Sequence, residues 1–267
     1  MNLPVRFSFL ILFFLLSIVA SGQILNVEKA RVERDSSHYF TGKLGVNLNL
    51  FNRATGREGK TDHFIGLTGN GNIGYVSEHN TYLLLSSYNY VRLRSATQVE
   101  TGYVHGRVTF RRQQRLSYES FGQLQYDYNR GLELRALVGA GIRFAVVRKE
   151  NLRFNLGTGV MYEHERWHNL AEDRYIKKHM PKLSNYASVR LPLNPYLELS
   201  TIHYYQVGYD QPHDQFRHRF SGDVSLTVKV NTWLQLTTNF AHTYENQPIV
   251  PIPKYLYSLT NGLQVSF

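Results

Sequence analysis

The sequence predicts an all-β chain folded as an antiparallel transmembrane β-barrel of about 12 strands, with 10 to 14 as the bounds, on three observations. The first is alternation with period two. Over residues 216–231, Phe216, His218, Phe220, Gly222, Val224, Leu226, Val228 and Val230 share one face. Arg217, Arg219, Ser221, Asp223, Ser225, Thr227, Lys229 and Asn231 share the other. The second is the spacing of the connectors, which are uniformly short at one end of the expected strands and mostly longer at the other. The third is composition: 19 Tyr, no Cys, and no long apolar run after the first residues.

Taken in order, Arg6 precedes the apolar run Phe7 to Ala20, and small residues stand at Ala20 and Gly22, so residues 1–22 read as a cleaved secretory signal. The expected destination is the bacterial outer membrane. No Cys follows the small residues, which argues against a lipoprotein, and without disulfides stability must come from hydrogen-bonded architecture. Residues 23–39 read as a short periplasmic lead and residues 40–267 as the barrel, with no further domain boundary.

Strands are expected at 40–52, 62–77, 80–94, 100–112, 116–129, 132–147, 152–163, 184–193, 196–209, 216–230, 232–245 and 254–267. In the sixth, Leu132, Leu134, Ala136, Val138, Ala140, Ile142, Phe144 and Val146 oppose Glu133, Arg135 and Arg143. In the last, Tyr255, Tyr257, Leu259, Leu263, Val265 and Phe267 oppose Lys254, Ser258, Thr260, Gln264 and Ser266. Runs of ten or more tilted residues are long enough to cross the hydrocarbon, and closure would leave no unpaired edge in lipid.

The wet face is expected to line the lumen with Lys43, Arg107, Arg135, Arg143, Arg153, Arg217, Arg219 and Lys229 against Glu119, Asp127, Glu133 and Asp223. Arg111, Arg190, Glu163 and Glu198 belong to the same face. Two readings stay open: a narrow, mildly anion-favouring passage, or a lumen cross-linked by ion pairs and closed to solutes. The net charge of +10 invites a nucleic-acid partner, but the loop cations explain it without one. Arg166, Arg174, Lys177, Lys178 and Lys182 in the expected loop 164–183, with Arg53, Arg57 and Lys60 in the first loop, suit lipopolysaccharide phosphates.

His164-Glu165-Arg166-Trp167-His168 matches the H-E-x-x-H zinc-protease signature, which works only on a helix, where both His share one face. Here the motif follows an expected strand, and on a strand the two His would stand about 13 Å apart, too far to share an ion. The match is therefore read as accidental, with Trp167 at the membrane interface and no metal or other cofactor expected. His203, His218 and His242 fall on the outward faces of three consecutive strands; no Ser stands beside His218, so a lipase-like site is the lesser reading.

Tyr118-Glu119, Phe121, Tyr126-Asp127, Arg135, Gly139-Ala140-Gly141, Gly157-Thr158-Gly159 and Tyr162-Glu163 follow one another across residues 115–165. In these features the chain resembles domain-of-unknown-function family 481, the salt-induced outer-membrane protein type. That resemblance implies an outer-membrane β-barrel with no established enzyme activity. The terminal Leu263, Val265 and Phe267 look like the signal by which the barrel-assembly machinery recognises its clients. The expectation is a monomeric, non-enzymatic envelope protein acting in envelope integrity, osmotic adaptation or passive small-solute passage, in contact with outer-membrane lipid. The alternatives are an outer-membrane hydrolase, or a binding protein using loop 164–183.

Overall fold

A computed structural model describes residues 38–54, 61–93, 96–231 and 234–265. The expected signal 1–22, most of the lead 23–39, and Phe267 lie outside them, as do the side chains of Lys43, Leu263 and Val265. Twelve strands follow one another in the described chain. They are β1 (Tyr39–Ala54), β2 (Thr61–Val76), β3 (Thr81–Leu93), β4 (Ala96–Phe110), β5 (Leu116–Asp127) and β6 (Leu132–Lys149). Then come β7 (Leu152–Asn169), β8 (Arg174–Asn194), β9 (Leu197–Asp210), β10 (Gln215–Lys229), β11 (Leu234–Glu245) and β12 (Tyr255–Val265).

Each strand pairs antiparallel with its neighbours in sequence, so the order in the sheet is simply β1 to β12. The closed barrel expected from the sequence is not what the described residues form. Among the described residues no ladder joins β12 back to β1, and the sheet is open between them. Period two specifies the faces and register of each hairpin, but closure is a relation between the first and last strands, set by the accumulated stagger of all the others. No local pattern carries it.

The sheet nevertheless curls strongly, bringing the Arg107 guanidinium of β4 to the Tyr204 hydroxyl of β9 at 3.4 Å. Irregularities at Val91/Arg92, Gln125/Asp127, Leu132/Leu134, Ala145/Val147 and Pro192/Asn194 add twist where the ladders shift. Apolar side chains cover the convex face: Leu124, Val138, Val160 and Leu259 are all more than half exposed. The buried set on the concave face is mostly polar, an inversion of the soluble pattern.

The largest departure from expectation is the β7–β8 hairpin. The expected loop 164–183 is strand almost throughout, turning only at residues 170–173. Alternation in fact continues, with Glu163, Glu165, Trp167 and Asn169 buried on the concave side while Tyr162, His164, Arg166 and His168 face the other way. Hydropathy hides it because both faces are polar there. Gly131, after a single 3-10 turn at Tyr128–Arg130, has φ 79° and a carbonyl that accepts the His168 N–H at 2.7 Å. A Cβ there would stand 2.2 Å from the His168 carbonyl oxygen, so only Gly allows β6 to start beside the end of β7.

Candidate functional site

The side chains pointing into the concave face assemble two ionic networks. In the one nearer the β7–β8 tip, Arg135 on β6, Lys182 on β8 and Arg219 on β10 meet Glu163 and Glu165 on β7 and Glu245 on β11. Arg135 Nε donates to Glu165 Oε1 at 2.5 Å. Arg219 donates through Nη1 to Glu163 Oε2 at 2.8 Å, through Nη2 to Glu165 Oε1 at 3.0 Å, and through Nε to Glu245 Oε1 at 2.7 Å. Lys182 completes the set with a short contact to Glu163. Three cations face three anions, so the group is neutral as a whole although several members are almost fully buried.

The second network is smaller. Arg107 on β4 pairs with Glu119 on β5 at 3.4 Å, and Glu119 also accepts the Tyr186 hydroxyl of β8 at 2.8 Å. The Arg107 guanidinium lies over the rings of Phe121 and Tyr186, at 5.5 and 5.8 Å from their centroids. Between the two networks is a cavity of about 150 Å³, bordered by Arg107 and Glu119 on one side and by Arg135, Arg219 and Glu245 on the other.

A strap closes the tip end. Residues 246–254, between β11 and β12, fold inward so that Val250 packs on Trp167 and Leu132, with Ile176, Ile249 and Ile252 around them. Asn246 fastens the strap to β10: its amide donates to the Phe216 carbonyl at 3.0 Å, and its side-chain oxygen accepts the His218 N–H at 2.8 Å. Arg217 donates to the Gln247 carbonyl from the same strand. Trp167, expected at the membrane interface, is instead 1% exposed and anchors this plug. An aromatic ring fits either side of a strand, and parity with Glu165 sends it inward.

Beyond the tilted ring pair Tyr209 and Phe216, Asp210 ends β9 at the tip. It accepts Lys178 Nζ at 2.9 Å and Arg217 Nε at 2.7 Å, with His213 at 3.2 Å. Burial works to raise its carboxyl, but the hydrogen bonds from Lys178, Arg217 and His213 outweigh it and hold the group down to about 2.

Among the expected lumen residues, Arg107, Glu119, Asp127, Arg135, Arg143 and Asp223 are buried. Asp127 pairs with Arg130 at 3.6 Å, and Asp223 accepts Asn239 at 2.6 Å. Arg153, Arg217 and Arg219 are half-buried, whereas Lys229 is exposed at the far end of β10. Glu133 departs from the row. It sits in the bulge between Leu132 and Leu134 and pairs with the exposed Arg166 at 3.4 Å. The five cations assigned to a loop divide: Arg166, Arg174 and Lys177 are exposed, while Lys178 and Lys182 turn inward to Asp210 and Glu163. A strand presents alternate residues to opposite faces, so a cationic run cannot remain one patch.

The zinc signature comes apart for the same reason. Its His164 stacks against His179 at 6.4 Å and His168 bonds Asp173 at 2.8 Å, while Glu165 is committed to Arg135 on the other face. No group of three or more His, Cys, Asp or Glu that could hold a metal occurs among the described residues. On the convex face, His218 bonds the Tyr205 hydroxyl at 2.8 Å, and His203 and His242 lie 5.5 Å apart over Gly222.

Sequence reasoning passed over Tyr103, His105, Tyr204 and Glu245. Counting back by twos from Arg107 reaches the first two, and strand parity places Glu245 beside Thr243 on the inner face. Of the residues that carry the resemblance, Glu119, Phe121, Asp127, Arg135 and Glu163 point into this site, while Tyr118 and Tyr162 lie on the convex face. Phe121 lies over Gly139 and Tyr186 over Gly157, each ring filling the space a Cβ would occupy.

A comparison with curated proteins finds no match. Among solved structures, one described as "NanC porin structure in rhombohedral crystal form" aligns with TM-score 0.46 and 9% identity, covering 85% of this chain and 99% of that one. The family model described as "Protein of unknown function, DUF481" matches residues 55–266, most of the chain and every strand of the site. The chain belongs to the DUF481 family of proteins of unknown function.

Proposed function

We propose that this protein is a non-enzymatic component of the bacterial outer-membrane envelope whose concave face is locked by ion pairs instead of conducting solutes. The observation that carries this reading is the neutral group Arg135, Lys182, Arg219, Glu163, Glu165 and Glu245, which ties five strands together. Charges neutralised by one another offer no field to draw an anion through. The strap held on Trp167 closes the same end.

Supporting the location are the exposed convex side chains Leu124, Val138 and Val160, the tyrosines Tyr162, Tyr205 and Tyr209 toward the tip, and the resemblance noted in residues 115–165. At the protruding hairpin Lys177 is exposed to meet lipopolysaccharide phosphates, beside the exposed Arg166 and Arg174, which pair with Glu133 and Glu172. Leu263, Val265 and Phe267 would be read by the barrel-assembly machinery. The chemistry of envelope integrity fits this inventory better than hydrolysis, since both hydrolytic motifs are split between faces or occupied by other partners.

The test combines membrane fractionation with planar-bilayer recording of the full chain. Outer-membrane recovery and no discrete conductance steps are expected. Recovery elsewhere would overturn the location, and discrete anion-selective steps would overturn the locked face.

A further inference from the structure

We infer that the cavity between the two networks is a binding site for a neutral, polyhydroxylated small molecule of monosaccharide size. Independent of how the protein sits in the envelope, the inference rests on three unpartnered polar groups. The Tyr103 hydroxyl, His105 Nε2 and the Thr101 hydroxyl line the cavity from one strand, β4. Their residues are only 6%, 5% and 8% exposed, and these atoms make no hydrogen bond to protein. Buried polar groups are nearly always satisfied, so three orphans on one wall indicate what the cavity accepts.

Their chemistry narrows the ligand. Two hydroxyls, each able to donate or accept, and one imidazole nitrogen match a molecule carrying several hydroxyls of its own. The other walls add the rings of Tyr186 and Tyr204, whose centroids stand 5.5 Å apart, and the amide of Gln206. Aromatic faces accept the C–H surfaces of a polyol while an amide takes a hydroxyl.

Charge excludes the ionic alternatives. Arg107 is matched by Glu119, Arg135 by Glu165, Arg219 by Glu163 and Glu245, and Asp127 by Arg130. A charged ligand would have to displace one of these partners, whereas a neutral one enters without doing so. Size agrees as well, because about 150 Å³ is roughly ten times the minimum that admits one water.

The experiment is titration calorimetry on the refolded full chain in a detergent without a sugar headgroup. Glucose, myo-inositol and sorbitol serve as neutral probes, and glucose 6-phosphate and glucosamine as charged counterparts. Saturable binding of at least one neutral probe is expected, weakened about tenfold by Tyr103→Phe, which removes a single hydroxyl. Thr101→Val gives an independent second variant should Tyr103→Phe misfold, with retained heat-shifted gel mobility as the folding check. No binding by any neutral probe overturns the inference. So does equal or tighter binding of the charged counterparts, or unchanged affinity in both folded variants.

Discussion

Arg219 on β10 donates to Glu163 on β7 at 2.8 Å, although two strands separate them in the sheet. Glu163 also holds Lys182, and both carboxylate partners are nearly buried. Glu163→Gln is therefore expected to leave the buried group of three cations one anion short and to destabilise the protein by about 3–5 kcal/mol. Replacing Glu163 and Arg219 together with Leu and Met should recover part of that loss. Urea denaturation of the three proteins in micelles measures both quantities, and equal losses for the single and double variants would refute the coupling.

The zinc signature gives a contrast within four residues. His164→Ala and His168→Ala change convex side chains and are expected to stay within about 1 kcal/mol of wild type. Glu165→Gln removes the partner of Arg135 and Arg219 and should cost several times more, about 3 kcal/mol. A zinc site would instead make all three behave alike and respond to a chelator. Thermal melts with and without a chelator separate the cases.

Trp167 fastens the strap at residues 246–254. Trp167→Ala is expected to cost about 3–5 kcal/mol and to free Val250, Ile249 and Ile252. The readout is trypsin cleavage after the exposed Lys254, which should become faster than in wild type. Val250→Ala should give a smaller change in the same direction.

Asp210 supplies a pH dependence. Its folded pKa lies below the ordinary carboxylate value, so its contribution to stability is complete above about pH 4 and is lost as pH falls through about 2. Protonation releases Lys178 and Arg217, loosening the turn between β9 and β10. Pepsin cleavage of that turn, compared at pH 4 and pH 2, should rise more in the wild type than in Asp210→Asn, the reference that carries the protease's own pH dependence. A parallel rise in both proteins would assign the acid sensitivity elsewhere.

Much of this architecture is legible in single residues. Arg217 and Arg219 against Phe216 and His218 give the faces of β10 directly, because a strand repeats every second residue. The β7–β8 extension is not legible by hydropathy, since Glu165 and His164 are polar on opposite faces. Glu133 escapes because a bulge shifts parity by one, and closure escapes because it depends on strands at opposite ends of the chain. The cavity is harder still. Arg107 meets Tyr204 across 97 positions of sequence, and no local pattern announces which of several inward tyrosines it will reach.

The balanced set of three cations and three anions also constrains descent. A reversal of charge at position 163 would place like charges beside 182 and 219, and no rotamer within a packed face could carry them apart. Viable lineages must then change those positions in compensating pairs or keep them. Positions 135, 163, 165, 182, 219 and 245 are thus expected to covary across relatives as one unit, while exposed cations such as Lys177 drift independently.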